Sequence, residues 1–409
     1  MRVKVVCVGG GPAGLYLSIL LKRQDPSTEI TVYERNPEGS TYGWGVTYWR
    51  GLLDKLRAHD PESARAVEEH SVRWSDGVAH VRDGARNLTT RHHGDEGFGI
   101  GRHRLLKILA ARARDLGVRL EFAHEMAPGA LPGDADLVVA GDGLHSGLRT
   151  RDADHFGTDV TAGRNHYAWL GTTKVFDAFT FSFVETDHGW IWCYAYGYGA
   201  EGSTCVIECA PETWAGLGLD RADEAEGLDL LEQLFADLLD GHRLIGRSAG
   251  DGRPQWLTFR TLTNQRWYRD NVVLLGDAAH TTHYSIGAGT TLALEDAMAL
   301  AGALRGHASL PGALAAYEQE RKSALLSIQS AARYSAQWYE HLPRYIHLPP
   351  HRMFALLGQR HSPLLPHVPP HLYYGLDKAV GRLKALRRLK RWLGPKIARA
   401  AHARALAPR

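Results

Sequence analysis

Residues 3–22 read VKVVCVGGGPAGLYLSILLK, and the order of residue types in this stretch decides the fold. Val3 to Val8 is an apolar, largely β-branched run of the kind buried on both faces in a parallel sheet, and Gly14 to Lys22 places Leu15, Ile19 and Leu20 for packing along a helix. Between strand and helix, Gly9, Gly11 and Gly14 form G-x-G-x-x-G. A second strand is predicted at Glu29–Tyr33, with Glu34 at its end, twenty residues beyond the last glycine. In that setting the glycines allow a tight turn and close approach of backbone amides to a pyrophosphate. The helix N-terminus favours its charge, and Glu34 can accept both hydroxyls of a ribose. The turn therefore predicts a dinucleotide ligand on an α/β fold. The same run has the apolar character of a signal peptide core, but Gly-Gly-Gly-Pro interrupts it and no cleavage pattern follows, so neither secretion nor a membrane span is predicted.

Outward from this unit, Arg104 to Leu116 has helical spacing, and Ala135–Ala140 is another buried-strand run, closed by a Gly-Asp-Gly turn. From about Tyr167 to Cys209 the pattern changes to alternation, with Phe179, Phe181 and Phe183 opposing Thr180, Ser182 and Val184, which predicts antiparallel sheet. Val272–Leu275 and a helix from about Thr291 to Leu304 restore the α/β pattern, so the sheet is read as an insertion. At roughly 150 residues per domain, 409 residues suggest two or three lobes. The predicted division is a Rossmann-type dinucleotide-binding domain of residues 1–165 with 263–330, an inserted antiparallel β-sheet substrate domain of residues 166–262 with parts of 45–98, and a helical, proline-rich C-terminal region of residues 331–409 that ends in a basic tail. Seven of the eighteen prolines fall between Pro343 and Pro370, which predicts an extended linking segment there.

Hydrophobic residues make up 44% of the chain and charged residues 23%, proportions of an ordinary globular protein. The formal net charge of +3 hides an asymmetry. Residues 378–409 carry eleven Lys or Arg and no Asp or Glu, which leaves 37 basic against 45 acidic residues in the rest of the chain. In that tail Val380, Leu383, Leu386, Leu389, Leu393 and Ile397 recur at three- and four-residue intervals, the pattern of a basic amphipathic helix. Docking on the body, contact with an acidic carrier protein or CoA phosphates, and contact with an anionic membrane surface are the roles open to it. Nucleic acid is not predicted as a partner, because no recognised binding module accompanies the charge. Cys7, Cys193, Cys205 and Cys209 are too few for a disulfide framework and lack CxxC spacing, which predicts reduced thiols and a cytoplasmic protein. No metal site is predicted among the 22 histidines, since the pairs His347/His351 and His367/His371 enclose Pro-Pro.

Two further segments carry chemistry: Leu137–Arg149, LVVAGDGLHSGLR, and Val272–Asp296, VVLLGDAAHTTHYSIGAGTTLALED. G-x-G-x-x-G, a Gly-Asp-Gly turn with a following Ser and Arg, and a late Gly-Asp turn, in this order, resemble the single-component FAD-dependent aromatic hydroxylases. Gly43-Trp44-Gly45-Val46, Gly99-Ile100-Gly101-Arg102, Trp169-Leu170-Gly171-Thr172, Phe176-Asp177-Ala178-Phe179 and Ser285-Ile286-Gly287 resemble the branch of salicylyl-CoA and anthraniloyl-CoA hydroxylases and the violacein-pathway tryptophan hydroxylase. The resemblance implies a Rossmann-type FAD-binding domain in which FAD lies against Gly9, Gly11, Pro12, Ala13, Gly14, Glu34 and Arg35, then Arg102, Asp142 and Asp277, and finally Gly287, Ala288, Gly289 and Thr290. It assigns the phosphates to Arg102, support of the dinucleotide and of nicotinamide approach to Asp142, and the ribityl chain to Asp277. A turn-forming role is the alternative for Asp142. Tyr284 and Thr291 depart from the wider pattern, standing where most members have a proline and an asparagine near the flavin ring. Gly289 and Thr290 lie at a predicted helix N-terminus, whose partial positive charge suits an anion on reduced flavin.

Trp190, Trp192, Tyr194 and Tyr196 alternate with Ile191, Cys193 and Ala195, giving one strand a wholly aromatic face that either walls an aryl-binding cavity or packs as core. His166, His280 and His283 are candidates to orient or deprotonate a ring substituent, with Tyr284 beside them. The expected function is a monooxygenase that hydroxylates an electron-rich aromatic ring through a flavin C4a-hydroperoxide. It would use O2 and a transiently bound NADPH or NADH. The branch resemblance implies a salicylyl or anthraniloyl thioester as substrate, with tryptophan or another indole as the rival. A flavin-dependent halogenase is disfavoured because Cys193-Tyr194-Ala195 breaks the second half of WxWxIP, and a flavin-binding module without turnover is the remaining alternative.

Overall fold

The computed structural model describes residues 3–40, 43–84, 86–246 and 256–382. The basic tail from Leu383 onward therefore lies outside the described residues. The opening strand is Lys4–Val8, at the centre of a six-stranded sheet. In spatial order that sheet runs Tyr268–Arg269, Val272–Leu274, Leu137–Ala140, Lys4–Val8, Glu29–Tyr33 and Arg119–Glu121. All neighbours are parallel except the hairpin of the first two. Helix Pro12–Gln24 packs on this sheet, and helix Gly289–Gly306 packs on that helix. The expected helices and strands of the Rossmann-type part are all present, each within a few residues of its predicted ends.

The second sheet has nine strands. Its path runs Leu244–Ile245, Thr158–Thr172, Gly202–Cys209, Gly189–Gly199, Phe179–Thr186, Val72–Asp83, Arg86–Gly101 and Gly45–Tyr48, and Trp256–Asn264 also pairs with Thr158–Thr172. The sheet is antiparallel except where Val72–Asp83 runs parallel to Phe179–Thr186. Strand Thr158–Thr172 begins eight residues before the predicted boundary at 166 and pairs from its first residue, Thr158 with Asn264.

The two faces of this sheet bury different side chains. Ala168, Leu170, Val184, Ile191, Cys193, Ala195, Cys205, Ile207 and Cys209 form an aliphatic and thiol face, covered by Phe235, Leu231, Leu238 and Leu239 of the segment Glu224–Leu239. Phe181, Phe183, Trp190, Trp192, Tyr194, Tyr196 and Val206 form the other face. Trp338 and Tyr339 of the helix Leu310–Glu340 cover it, together with Tyr345, Met353, Leu356 and Leu357. The four cysteines are buried and unpaired.

The proline-rich segment departs from expectation. It is a series of short helices, Pro343–Ile346, Pro350–Gly358, Leu365–His367 and Pro370–Arg382, rather than an extended linker. Pro343, Pro350 and Pro370 each open a helix, the position where a missing N–H costs nothing and the fixed φ is already helical. His347 and His351 straddle one such boundary, and His367 and His371 another. Among the described residues no helix is long and apolar enough to cross a membrane.

Candidate active site

The glycine turn has the geometry its sequence demands. Gly9 has φ +108°, and a Cβ on it would lie 2.3 Å from the Gly141 carbonyl oxygen. A Cβ on Gly14 would lie 2.3 Å from the Gly9 oxygen, so the helix can meet the turn only without a side chain there. Glu34 accepts from the Gly10 N–H at 2.8 Å through Oε2, and from Asn36 through Oε1. This fixes the carboxylate beside the turn. Helix Pro12–Gln24 has no side-chain cap and no acidic residue in its first turn, which leaves its first amides available to an anion. A Cβ added to Gly11, Gly143 or Gly289 would meet nothing within 4 Å, so open space lies over all three turns. Arg35 is exposed next to Glu34.

The two later turns are tied together by a residue whose role the sequence did not reveal. Arg149 is buried and donates to the Ala278 carbonyl at 3.1 Å, joining the Gly-Asp-Gly turn to the late Gly-Asp turn. Asp142 accepts from Gly147 N–H at 2.9 Å through Oδ2, which is turn chemistry, while its buried Oδ1 has no partner. Crowding by protein raises the pKa of Asp277, with Arg102 and His280 partly offsetting it, and yet its side chain is open to solvent. A hemmed-in but accessible carboxylate marks the floor of a cleft. Arg102, the first residue of helix Arg102–Asp115, faces Asp277, so a fixed cation and a hydroxyl-accepting carboxylate share that cleft. Helix Gly289–Gly306 has an uncapped N-terminus without acidic residues, and the buried Thr291 Oγ1 has no partner. Phosphate-binding amides, a cation, carboxylates for hydroxyls and a positive helix end together fit FAD.

Two of the segments that carried the branch resemblance meet across the nine-stranded sheet, Gly43–Gly45 at one end of its path and Trp169–Gly171 towards the other. A Cβ on Gly43 would strike the Trp169 ring at 2.4 Å, and one on Gly171 would strike the Trp44 ring at 2.7 Å. Each indole therefore lies on the other segment's glycine. Trp44 Nε1 donates to the Trp169 carbonyl at 3.3 Å, Gly45 N–H donates to Thr204 Oγ1 at 2.9 Å, and Tyr196 Oη donates to the Gly45 carbonyl at 2.9 Å.

The candidate bases lie in different surroundings. His280 Nε2 pairs with Asp296 Oδ2 at 2.8 Å, Asp296 Oδ1 accepts from Arg321 Nε at 2.6 Å, and the imidazole stacks on Trp267. A buried ion network thus already engages His280. Burial pushes the His283 pKa down to about 3, which keeps the ring neutral, and Nδ1 bonds Ser285 Oγ at 2.9 Å. His166 bonds Thr258 and packs on Trp214, away from these two. Tyr284 stands within 6 Å, ring to ring, of Tyr167, Tyr194, Phe259 and His283. Its hydroxyl donates to Glu208 Oε2 at 2.6 Å, and Asn165 Nδ2 donates to Oε1 at 2.7 Å. Glu208 is 1% exposed. Burial lifts its pKa to about 7 against the pull of those hydrogen bonds.

Glu208 and Asn165 escaped the sequence reading because a single Glu in STCVIEC carries no motif. Period-two alternation puts it on the face of Thr204 and Val206, but its partners are distant in sequence. Of the four rings on the aromatic strand, Trp192 stacks on Tyr339 at 5.7 Å and Trp190 meets His347 edge-on, both under the C-terminal helices. Tyr194 and Tyr196 lie toward Tyr284 and Gly45.

Residues 133–330 match the FAD binding domain family. The chain is 38% identical to a salicyloyl-CoA 5-hydroxylase of a Streptomyces species over 84% of this chain and 66% of that protein, so about a third of that relative has no counterpart here. It is 36% identical to a 3-hydroxy-4-methyl-anthranilyl-(aryl-carrier protein) 5-monooxygenase of Streptosporangium sibiricum, over 83% of this chain and 90% of that one. A protodeoxyviolaceinate monooxygenase of Chromobacterium violaceum is 30% identical over 85% and 91% of the two chains. The tetrameric form of 2-methyl-3-hydroxypyridine-5-carboxylic acid oxygenase shares the fold, with a TM-score of 0.66 at 18% identity over 84% of this chain and 92% of that one. A glycine turn, an anion-ready helix end and a cationic cleft of this geometry, in a chain with such relatives, identify it as a member of the FAD-dependent aromatic monooxygenase family.

Proposed function

We propose that the ring this monooxygenase hydroxylates is a salicylyl- or anthraniloyl-type aryl group carried as a thioester on CoA or a carrier protein. The observation that carries this reading is the pair of relatives at 38% and 36% identity, named for a salicyloyl-CoA and for an anthranilyl group on an aryl-carrier protein. Both names place the new oxygen at ring position 5, para to the 2-substituent, and we assign the same position here. The overall change is aryl–H, O2, NAD(P)H and H+ to aryl–OH, water and NAD(P)+. Bound FAD supplies the hydride acceptance and oxygen activation. Gly9, Gly11 and the first turn of Pro12–Gln24 would hold its pyrophosphate with Arg102, Glu34 its adenosine ribose, and Asp277 its ribityl hydroxyls. The chain also excludes water, since the aromatic face is closed by Trp338, Tyr339 and the helices after Pro343.

The rival substrate, an indole such as tryptophan, rests on the relative at 30% identity. The eleven basic residues of 378–409 support contact with CoA phosphates or an acidic carrier, with a membrane surface as the alternative. The absence of cysteine pairing signals supports a reducing, cytoplasmic setting.

Substrate-stimulated NAD(P)H oxidation on a panel of free aryl acids, their CoA esters and tryptophan tests this reading. Stimulation by salicyloyl-CoA or anthraniloyl-CoA well above the free acids is expected. Stimulation by free acids alone, or by tryptophan alone, overturns the thioester reading. Arg102→Ala is expected to purify with little bound flavin, read from the visible spectrum, and full flavin content in that variant removes Arg102 from the cofactor site.

A further inference from the structure

Glu208 is the one buried carboxylate among the described residues of the aromatic face, where Tyr167 and Trp192 flank it on the neighbouring strands and Val206 and Tyr194 lie beside them. A buried carboxyl in such surroundings is costly unless it is paired, and its partners here are two neutral donors, Tyr284 and Asn165, rather than a cation. Stability alone does not call for it. Tyr284 links it to the flavin side of the site. Its ring belongs to the turn Tyr284–Ile286, a few residues ahead of the uncapped N-terminus of Gly289–Gly306, and is only partly buried, whereas Glu208 is wholly enclosed. Tyr284 Oη gives its proton to Glu208 and so keeps a lone pair for a donor on the substrate.

We propose that Tyr284 and Glu208 form a proton relay for a hydroxyl on the substrate ring, and that the substrate is therefore a hydroxyaryl rather than an aminoaryl compound. The inference rests on the ring-hydroxylase reading above and narrows its substrate class. As the ring O–H bond breaks, its proton passes to Tyr284 Oη, and the proton of Tyr284 passes to Glu208 Oε2. The electron pair stays on the substrate oxygen, where it enriches the ring for attack, and no electron leaves either residue. The proton returns to the product oxygen by the reverse path. An aryl amine N–H is far too weak an acid to take part, while a phenol, which titrates near 10, is within reach. The carboxyl is suited to hold the proton because burial lifts it to about 7, near working pH. The groups that face it are Tyr284 and its neighbour His283, Tyr167, Tyr194, Cys209, and Tyr339 and Glu340 of the covering helix, with Arg360 beyond Tyr339. His283 stays neutral, and Glu340 acts in the same direction as burial.

The test uses FAD-loaded enzyme, anaerobic, with salicyloyl-CoA as probe and benzoyl-CoA as the ring without a hydroxyl. The phenolate band of the bound probe is followed against pH in wild type, Glu208→Gln and Tyr284→Phe. Wild type is expected to bind the phenolate with a midpoint near neutrality. Both variants are expected to retain flavin and bind the probe, to move that midpoint upward by at least one pH unit and, in a separate assay with NAD(P)H and O2 supplied, to form product about 100-fold more slowly. Tyr284→Phe removes a single oxygen, so it carries the prediction free of any packing change at position 208. An unshifted midpoint in either flavin-loaded variant overturns the relay and leaves the thioester reading standing. Failure of wild type to bind salicyloyl-CoA, with turnover on anthraniloyl-CoA, overturns the hydroxyaryl assignment and leaves the thioester reading standing, whereas turnover on tryptophan alone overturns both.

Discussion

Ile207 and Glu208 are adjacent in one strand and equally buried, yet they face opposite sides of the large sheet. On the Ile207 side the buried neighbours are chiefly aliphatic side chains and thiols, with Phe235 over them. On the Glu208 side aromatic rings surround two hydrogen-bond donors placed for one carboxyl. The comparison teaches that burial by itself does not separate packing from chemistry. The polar partners prepared for the side chain do.

The comparison can be broken most severely by moving the charge across the sheet. Ile207→Asp puts an unpaired carboxyl among thiols and aliphatics, and is expected to cost at least about 4 kcal/mol and to leave little soluble protein; normal yield would show that the aliphatic face tolerates charge. Truncating the cover of that face comes next. Phe235→Ala is expected to cost about 3–5 kcal/mol, seen as a lower Tm, with flavin spectrum and product identity unchanged at low temperature. A changed product would mean that the aliphatic side takes part in the chemistry.

A smaller effect follows from Glu208 itself. Its native pKa lies above the ordinary 4.5, at about 7, so the folded state holds a proton that the unfolded state has lost in that window. The native state binds more protons there, and its stability from this group falls as pH rises from about 4.5 to 7. Chemical denaturation of wild type minus Glu208→Gln should therefore slope downward with pH by on the order of 2 kcal/mol across the window, and a flat difference would contradict a raised carboxyl. The smallest change expected is Tyr339→Leu, which removes the ring stacked on Trp192 and should cost about 1–2 kcal/mol in thermal unfolding, while Tyr339→Phe should be nearly neutral.

The α/β core was legible because its signals are local. Val5–Val8, the glycines of the turn and Leu15 to Leu21 lie within one short span, and each dictates its neighbour's conformation. The Gly-Asp turns were equally plain, but the Arg149 bond that joins them spans remote residues. Glu208 was illegible for the same reason, since only the fold brings Tyr284 and Asn165 to it. The segment from Pro343 to Pro370 was misread because prolines were counted as breakers without regard to register. At the first position of a helix proline is a starter, and three of the seven occupy that position. The aromatic strand was read correctly in its alternation, but the C-terminal helices that cover Trp190 and Trp192 left no trace in the strand itself.

The crossed indoles of Trp44 and Trp169, each lying where a glycine side chain would be, have an evolutionary consequence. A methyl at Gly171 is admissible only if the ring of Trp44 shrinks, and a methyl at Gly43 only if that of Trp169 does. Neither half of either couple can drift alone. Among relatives the small and large members should therefore change together or not at all, so that Gly43 with Trp169, and Gly171 with Trp44, are inherited as units across more than a hundred residues of intervening chain.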